Sequence, residues 1–185
     1  MIDAAPTASS MPTGLVYADV PNRAIAYIID AIVIGILGAI VGAVLGVFGL
    51  QVLTIDDALN VSYNYLASVV YALISLAISG AYFIYTWTSM RSTLGMKVLG
   101  MQIGNSADGK TLTMDQAVRR FIALGAPFTL AQVLNPLPLI GLLIGLAAFG
   151  WVIFLLYSTS QSPTKQGWHD VFANTMVVKA AKSVA

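Results

Sequence analysis

The sequence predicts an all-α membrane protein: a four-helix transmembrane bundle (three crossings being the alternative) with a small cytoplasmic β element. Three observations predict it. Hydrophobic residues fill 58% of the 185 positions and charged residues only 9%, whereas soluble domains carry about 25% charged residues. Apolar stretches of about 20 residues, the length that crosses a bilayer, recur along the chain. All nine basic residues fall at Arg23, in the segment 91–120 and in the segment 165–182, so the charge is confined to a few places between apolar runs.

The same composition excludes several functions. A net charge of +1 gives no reason to expect a nucleic-acid partner. There is no cysteine, hence no disulfide and no thiolate chemistry. The single histidine, His169, rules out a multi-histidine metal site. No cofactor is expected, and the partner expected first is the lipid bilayer.

Residues 1–20 read as a polar N-terminal tail. They are small, polar and proline-containing, with no Lys or Arg, a composition that buries little. They lack the basic start and apolar core of a secretory signal. Residues 21–179 form the membrane domain, and residues 180–185 a C-terminal tail.

The first membrane helix is expected from Arg23 to Leu50, with Asn22 as N-cap after Pro21. Gly38, Gly42 and Gly46 recur at every fourth position, a small-xxx-small face that lets another helix approach closely. Asp30 is out of place in this run, since a carboxylate at a helix centre costs roughly 2.5–3.5 kcal/mol in lipid. Arg23 lies seven residues earlier, on the same face and about 10 Å away along the axis. The helices are expected to be arranged around this Arg23–Asp30 pair.

Residues 51–63 read as a short loop carrying Asp56 and Asp57 and no basic residue. The second helix is expected from Asn64 to Met90. Ser68, Tyr71, Ser75, Ser79, Tyr82 and Thr86 follow one another at intervals of three or four residues, which places all six on one helical face. Such a stripe faces protein or water; hydrogen bonding between helices is the preferred reading, and a polar pathway beside Asp30 the sharper one. Tyr85 and Trp87 suit an interfacial aromatic belt.

The segment 91–120 is polar and basic. Lys97 to Ile103 partly alternates like a strand, Asp108-Gly109 signals a turn, and Thr113 with Gln116 fits a capping box opening the next helix. A long uncharged stretch from Phe121 to Tyr157 follows, broken at Asn135-Pro136-Leu137-Pro138, where two close prolines end a helix. The piece from Ala117 to Leu134 is marginal in length for a crossing; Leu137 to Tyr157 is long enough. With four crossings every basic residue lies on one side of the membrane, so the positive-inside rule favours four, with both termini cytoplasmic. In the tail, Thr175-Met176-Val177-Val178 suits a strand, expected to pair with the strand near residues 98–103.

Taken together these residues resemble the RDD family of bacterial membrane proteins, named for one arginine and two aspartates. Arg23 and Asp30 resemble the R and the first D. Thr93-Leu94-Gly95-Met96-Lys97-Val98-Leu99-Gly100 is similar to the family's TLGK-type segment, and Asp108-Gly109 with Arg119-Arg120-Phe121 continue the pattern. Gln166-Gly167-Trp168-His169-Asp170, with Ala173-Asn174-Thr175-Met176-Val177-Val178, resembles the C-terminal HD…AGTVVV segment, Asn174 standing where glycine is usual. The resemblance implies that Asp170 is the second D and joins Arg23 and Asp30 in one charge cluster, and that the chain sits in the bacterial cytoplasmic (inner) membrane. It implies no common activity, although sodium–proton exchange has been suggested for some members.

No nucleophile–base–acid set is present, nor a phosphate loop or dinucleotide fingerprint, so no enzyme is expected. The preferred reading is an accessory, structural or assembly subunit of a larger membrane complex, associating with other membrane subunits or with itself. The alternative is an ion or small-solute transport component, for example H⁺- or Na⁺-linked, that uses Asp30 as an in-membrane carboxylate.

Overall fold

The computed structural model describes residues 15–180. Among the described residues four helices are long and apolar enough to cross a membrane: α1 (Val20–Val47), α2 (Tyr65–Tyr85), α4 (Met114–Leu134) and α5 (Pro138–Gln161). Four crossings, rather than three, are therefore available. The short helices α3 (Leu94–Val98) and α6 (Trp168–Phe172) lie in the connecting and C-terminal segments.

Each boundary has a local cause. Helix α1 starts earlier than the sequence suggests, because Asp19 and not Asn22 caps it: the Asp19 carboxylate accepts the Asn22 amide at 3.1 Å, and Pro21 fits the first turn. Asn64 caps α2. Helix α2 runs on into a π-helical turn over Thr86–Met90, closed by Arg91 in the left-handed conformation (φ 56°). Thr113 and Gln116 form the expected capping box of α4. The Asn135–Pro138 break ends α4 at Leu134 and supplies Pro138 to the first turn of α5.

Pro127 lies inside α4, so it cannot donate to the carbonyl of Ala123 four residues back. The Trp151 indole of α5 donates to that carbonyl instead, at 2.9 Å. The gap that proline opens in one helix is thus filled from its neighbour.

Two elements replace expected irregular segments. Residues 51–63 contain a β-hairpin, β2 (Leu53–Ile55) against β3 (Val61–Tyr63), where the sequence suggested only a loop. Leu15–Tyr17, assigned to the tail, form strand β1, while residues 1–14 and 181–185, assigned to the two tails, lie outside the described residues. The strand expected around residues 98–103 is shifted: residues 94–98 are helical (α3) and β4 runs over Met101–Asn105. The expected pairing with the C-terminal strand β5 (Thr175–Ala180) is present and antiparallel, with Ile103 opposite Val177. The sheet order is β1-β5-β4. Because β1 pairs with β5, both described ends of the chain lie at one end of the bundle.

The best-packed region is at that end. Ala18, Ala26, Trp87, Met96, Met101, Ile103, Leu112, Ala117 and Val177 form the buried core, where the sheet meets the helix ends. Away from it the helices pack in the order α1–α2–α4–α5, and α5 barely touches α1. Ile28, Ile32, Ile36 and Ile40 form an exposed stripe along α1, a face suited to lipid.

Candidate functional site

Two buried carboxylates organise the sheet end of the bundle, and they do not share a partner. The first is Asp30, on α1 and 3% exposed. It accepts three hydrogen bonds: the Tyr82 hydroxyl of α2 at 2.7 Å, the Thr93 hydroxyl at 2.5 Å and the Gly95 amide at 2.9 Å. Thr93 is itself the N-cap of α3, accepting the Met96 amide at 3.2 Å. Tyr82 also accepts the Leu94 amide at 3.1 Å. Asp30 therefore joins α1, α2 and α3 at a single point. Gly95 allows this approach, since a Cβ there would stand 2.1 Å from the Ala26 carbonyl oxygen.

The second is Asp170, on α6 and 0% exposed. Arg23 of α1 donates to one of its oxygens at 2.6 Å. Arg120 of α4 donates to the other. The Gly167 amide adds a third bond, at 3.0 Å. Arg120 also donates to the Thr175 hydroxyl of β5 at 2.7 Å and lies over the Trp87 ring, 5.3 Å from its centroid. Arg23 reaches the Ala18 carbonyl at 3.0 Å and the Val177 carbonyl at 3.4 Å, so it also holds β5 and the residue that follows β1.

The expected Arg23–Asp30 pair is thus divided. Among the described residues Asp30 makes no ion pair, and Arg23 turns to Asp170. The physical reason is distance along the helix. Seven residues separate the two side chains by about 10 Å, while Asp170 brings its oxygens directly to the guanidinium. Arg120 completes the second cluster; the sequence placed it in the basic segment 91–120 and in the Arg119-Arg120-Phe121 part of the family pattern, without assigning it to the charge cluster. Its helix phase carried a signal: it lies three residues after Ala117 and three before Ala123, both buried, while Arg119 beside it is exposed.

Burial favours a neutral His169, and the charges of Arg120 and Arg23 act in the same sense against the opposing attraction of Asp170; its pKa is pushed down to about 4. Burial would raise the Asp170 carboxyl, but the Arg120 and Arg23 guanidiniums outweigh it and hold that carboxyl well below the usual carboxylate range. Two guanidiniums therefore face one carboxylate and a neutral imidazole.

A cavity of about 290 Å³ lies between the two clusters, lined by Arg23, Asp30, Thr93, Arg120, Thr159 and His169 and otherwise mostly by apolar side chains of α1, α2, α4 and α5. A second, of about 250 Å³, shares Tyr27 and Phe83 with the first and reaches Tyr71, Ser75 and Gln132.

The polar stripe of α2 divides in the same way. Of the six, only Tyr82 hydrogen-bonds to other helices among the described residues, donating to Asp30 of α1 and accepting from the Leu94 amide of α3. Ser68, Ser79 and Thr86 donate to carbonyls of their own helix or its cap. Ser75 is buried at its hydroxyl without a partner among the described residues. The Tyr71 ring nests over the glycine face: a Cβ on Gly38 would lie 2.9 Å from its hydroxyl, and one on Gly42 3.7 Å from its ring. Gly46 meets only Gln51, so the glycine face admits a side chain rather than a second backbone.

Asn174, with φ 52°, sits in the left-handed region that glycine favours and asparagine tolerates. That accounts for the exchange at this position. Neither the curated proteins nor the solved structures contain a match to the chain. The family model of the RDD family matches residues 17–174, a span that holds Arg23, Asp30, Arg120 and Asp170, and the chain belongs to the RDD family.

Proposed function

We propose that this protein is a non-enzymatic accessory or assembly subunit of a larger complex in the inner membrane, with both termini cytoplasmic. The observation that carries this reading is the saturation of Asp30. Its two oxygens already accept three donors from the chain itself, which suits a joint between helices better than an exchangeable ion site. Asp170 is similarly engaged. Helix faces without neighbours support the reading too, since a Cβ on Gly145 or Gly150 of α5 would meet nothing within 4 Å among the described residues. Small residues of this kind let a foreign helix approach.

Purification from native membranes in mild detergent, followed by flux assays on the purified protein in proteoliposomes, tests it. Stoichiometric membrane partners, lost on Asp30→Ala, are the expected result. Saturable H⁺- or Na⁺-dependent flux from the purified protein alone would overturn it.

A transport role is the second reading, and the two adjoining cavities favour it. They run from Arg23 and His169 past Asp30 to Tyr71, Ser75 and Gln132. On that reading Asp30→Asn abolishes flux while the protein still folds.

A further inference from the structure

The larger cavity combines two features that do not normally occur together. Its walls are largely apolar and include Ala24 and Ile28 of α1, Phe128 of α4, and Val152 and Leu156 of α5. Because α1 and α5 barely touch, the part of the cavity that Ala24, Ile28, Val152 and Leu156 line lies at a seam through which the surrounding lipid can reach the interior. Its inner end carries Arg120, which is 6% exposed. The Nε of Arg120 is buried and has no hydrogen-bond partner among the described residues.

A buried donor without an acceptor is costly, more so on a charged group. Here the local charge is also unbalanced, since Arg23 and Arg120 share the single carboxylate of Asp170. An oxyanion at this place would supply both the missing acceptor and the missing negative charge. An apolar chain attached to it would fill the walls. The volume of about 290 Å³ falls just short of the usual range for small-molecule sites, about 300–1,000 Å³. It suits the head and first part of one chain, the rest continuing along the α1–α5 seam.

We infer that this cavity binds an anionic membrane amphiphile, its acyl chain between α1 and α5 and its anionic oxygen on Arg120. A fatty acid carboxylate and an anionic phospholipid phosphate share this chemistry. The site goes beyond an assembly role and does not depend on it.

Trp87 provides the probe, since it lines the cavity beneath Arg120. Purified full-length protein would be titrated with brominated fatty acid, brominated phosphatidylglycerol and brominated phosphatidylcholine, in mixed micelles of fixed detergent content. Quenching of the fluorescence component that Trp87→Phe removes would be followed. The expected result is saturable quenching by the fatty acid or the phosphatidylglycerol, and only weak, non-saturating quenching by the zwitterionic lipid. Whichever anionic probe binds more tightly identifies the source.

Arg120→Gln should weaken binding by about tenfold or more, the loss of a charge-assisted bond. Arg120 also holds Asp170, so a second variant is needed. Ala24→Phe fills the cavity from α1 and leaves both carboxylate clusters intact; it should abolish saturable quenching in a protein that stays monodisperse. Quenching that never saturates, that is equal for all three probes, or that survives Ala24→Phe overturns the inference.

Discussion

Asp30 accepts the amide of Gly95 at 2.9 Å, so a carboxylate from the first membrane helix closes the start of the short helix that follows the second. The contact works in both directions. It satisfies a charge that lipid would penalise, and it satisfies a helix-end amide that would otherwise lack an acceptor. Removing the carboxylate by Asp30→Ala strands this amide and the Tyr82 and Thr93 hydroxyls. We expect a loss of about 3 kcal/mol or more. Asp30→Asn should cost less, because one acceptor oxygen remains. Tyr82→Phe should cost about 1 kcal/mol. Thermal unfolding in mild detergent checks the ranking; equal midpoints for Asp30→Ala and wild type would contradict it.

Gly95 sets how closely α3 approaches α1. A methyl group there would stand 2.1 Å from the Ala26 carbonyl oxygen, a backbone atom that cannot swing aside. Gly95→Ala is expected to cost about 1–3 kcal/mol or more through forced separation. Gly35→Ala, with nothing within 4 Å, should be neutral or mildly stabilising. Parallel melting curves of the two variants decide the point.

Pro127 and Trp151 form a compensating pair across α4 and α5. Trp151→Phe removes the indole donor to the Ala123 carbonyl and should destabilise by about 1 kcal/mol. In a Pro127→Ala background the helix supplies its own donor to that carbonyl, so the same substitution should cost measurably less. A double-mutant cycle reads the coupling; additive effects would refute it.

The pH dependence follows from His169 and Asp170. In the folded protein burial, helped by the two arginines, pushes the His169 pKa down to about 4, whereas an unfolded histidine titrates near pH 6.5. Between these values the unfolded state binds the extra proton, so stability falls as pH falls from about 6.5 to 4. The loss should reach on the order of 3 kcal/mol at pH 4. Asp170 is held low in the folded state, and its contribution disappears only as pH falls further, below the unfolded carboxylate value near 3.9. His169→Gln should flatten the curve between pH 6.5 and 4 and leave the steeper acid limb. An unchanged slope in that variant would assign the dependence elsewhere.

The chain has no cysteine, which makes its sidedness easy to measure. Ser106→Cys, beside the sheet, should react with a membrane-impermeant maleimide only from the cytoplasmic side. Asp57→Cys, in the β2–β3 hairpin, should react only from the opposite side. Labelling of both from one side would eliminate the four-crossing arrangement with cytoplasmic termini.

Local rules made much of this fold legible. Four apolar runs gave the crossings, Thr113 and Gln116 their capping box, and the Asn135–Pro138 break the end of α4, because each depends on residues within one or two helical turns. The partners of the charges were harder to read. Arg23 and Asp170 are 147 positions apart, and nothing near either names the other; only the resemblance to a family joined them. Residues 97–103 alternated like a strand, yet Thr93 and Asp30 cap residues 94–98 into a helix, a contact 63 positions long for Thr93. Leu15–Tyr17 is too short to show a pattern and becomes a strand only because the edge of β5 offers it hydrogen bonds.

The wide separation of Arg23 from Asp170 has a consequence for biogenesis. The first membrane helix is made with its arginine unmatched, and synthesis must cover 147 further positions, roughly 7–30 s at typical elongation rates, before the matching carboxylate emerges. Arg120 waits for the same residue. A segment made long after the first helix therefore acts as a latch on helices that are already inserted. A chain arrested before residue 170 would carry two unneutralised guanidiniums at the membrane face, a chemical mark by which quality control could tell an unfinished copy from a finished one.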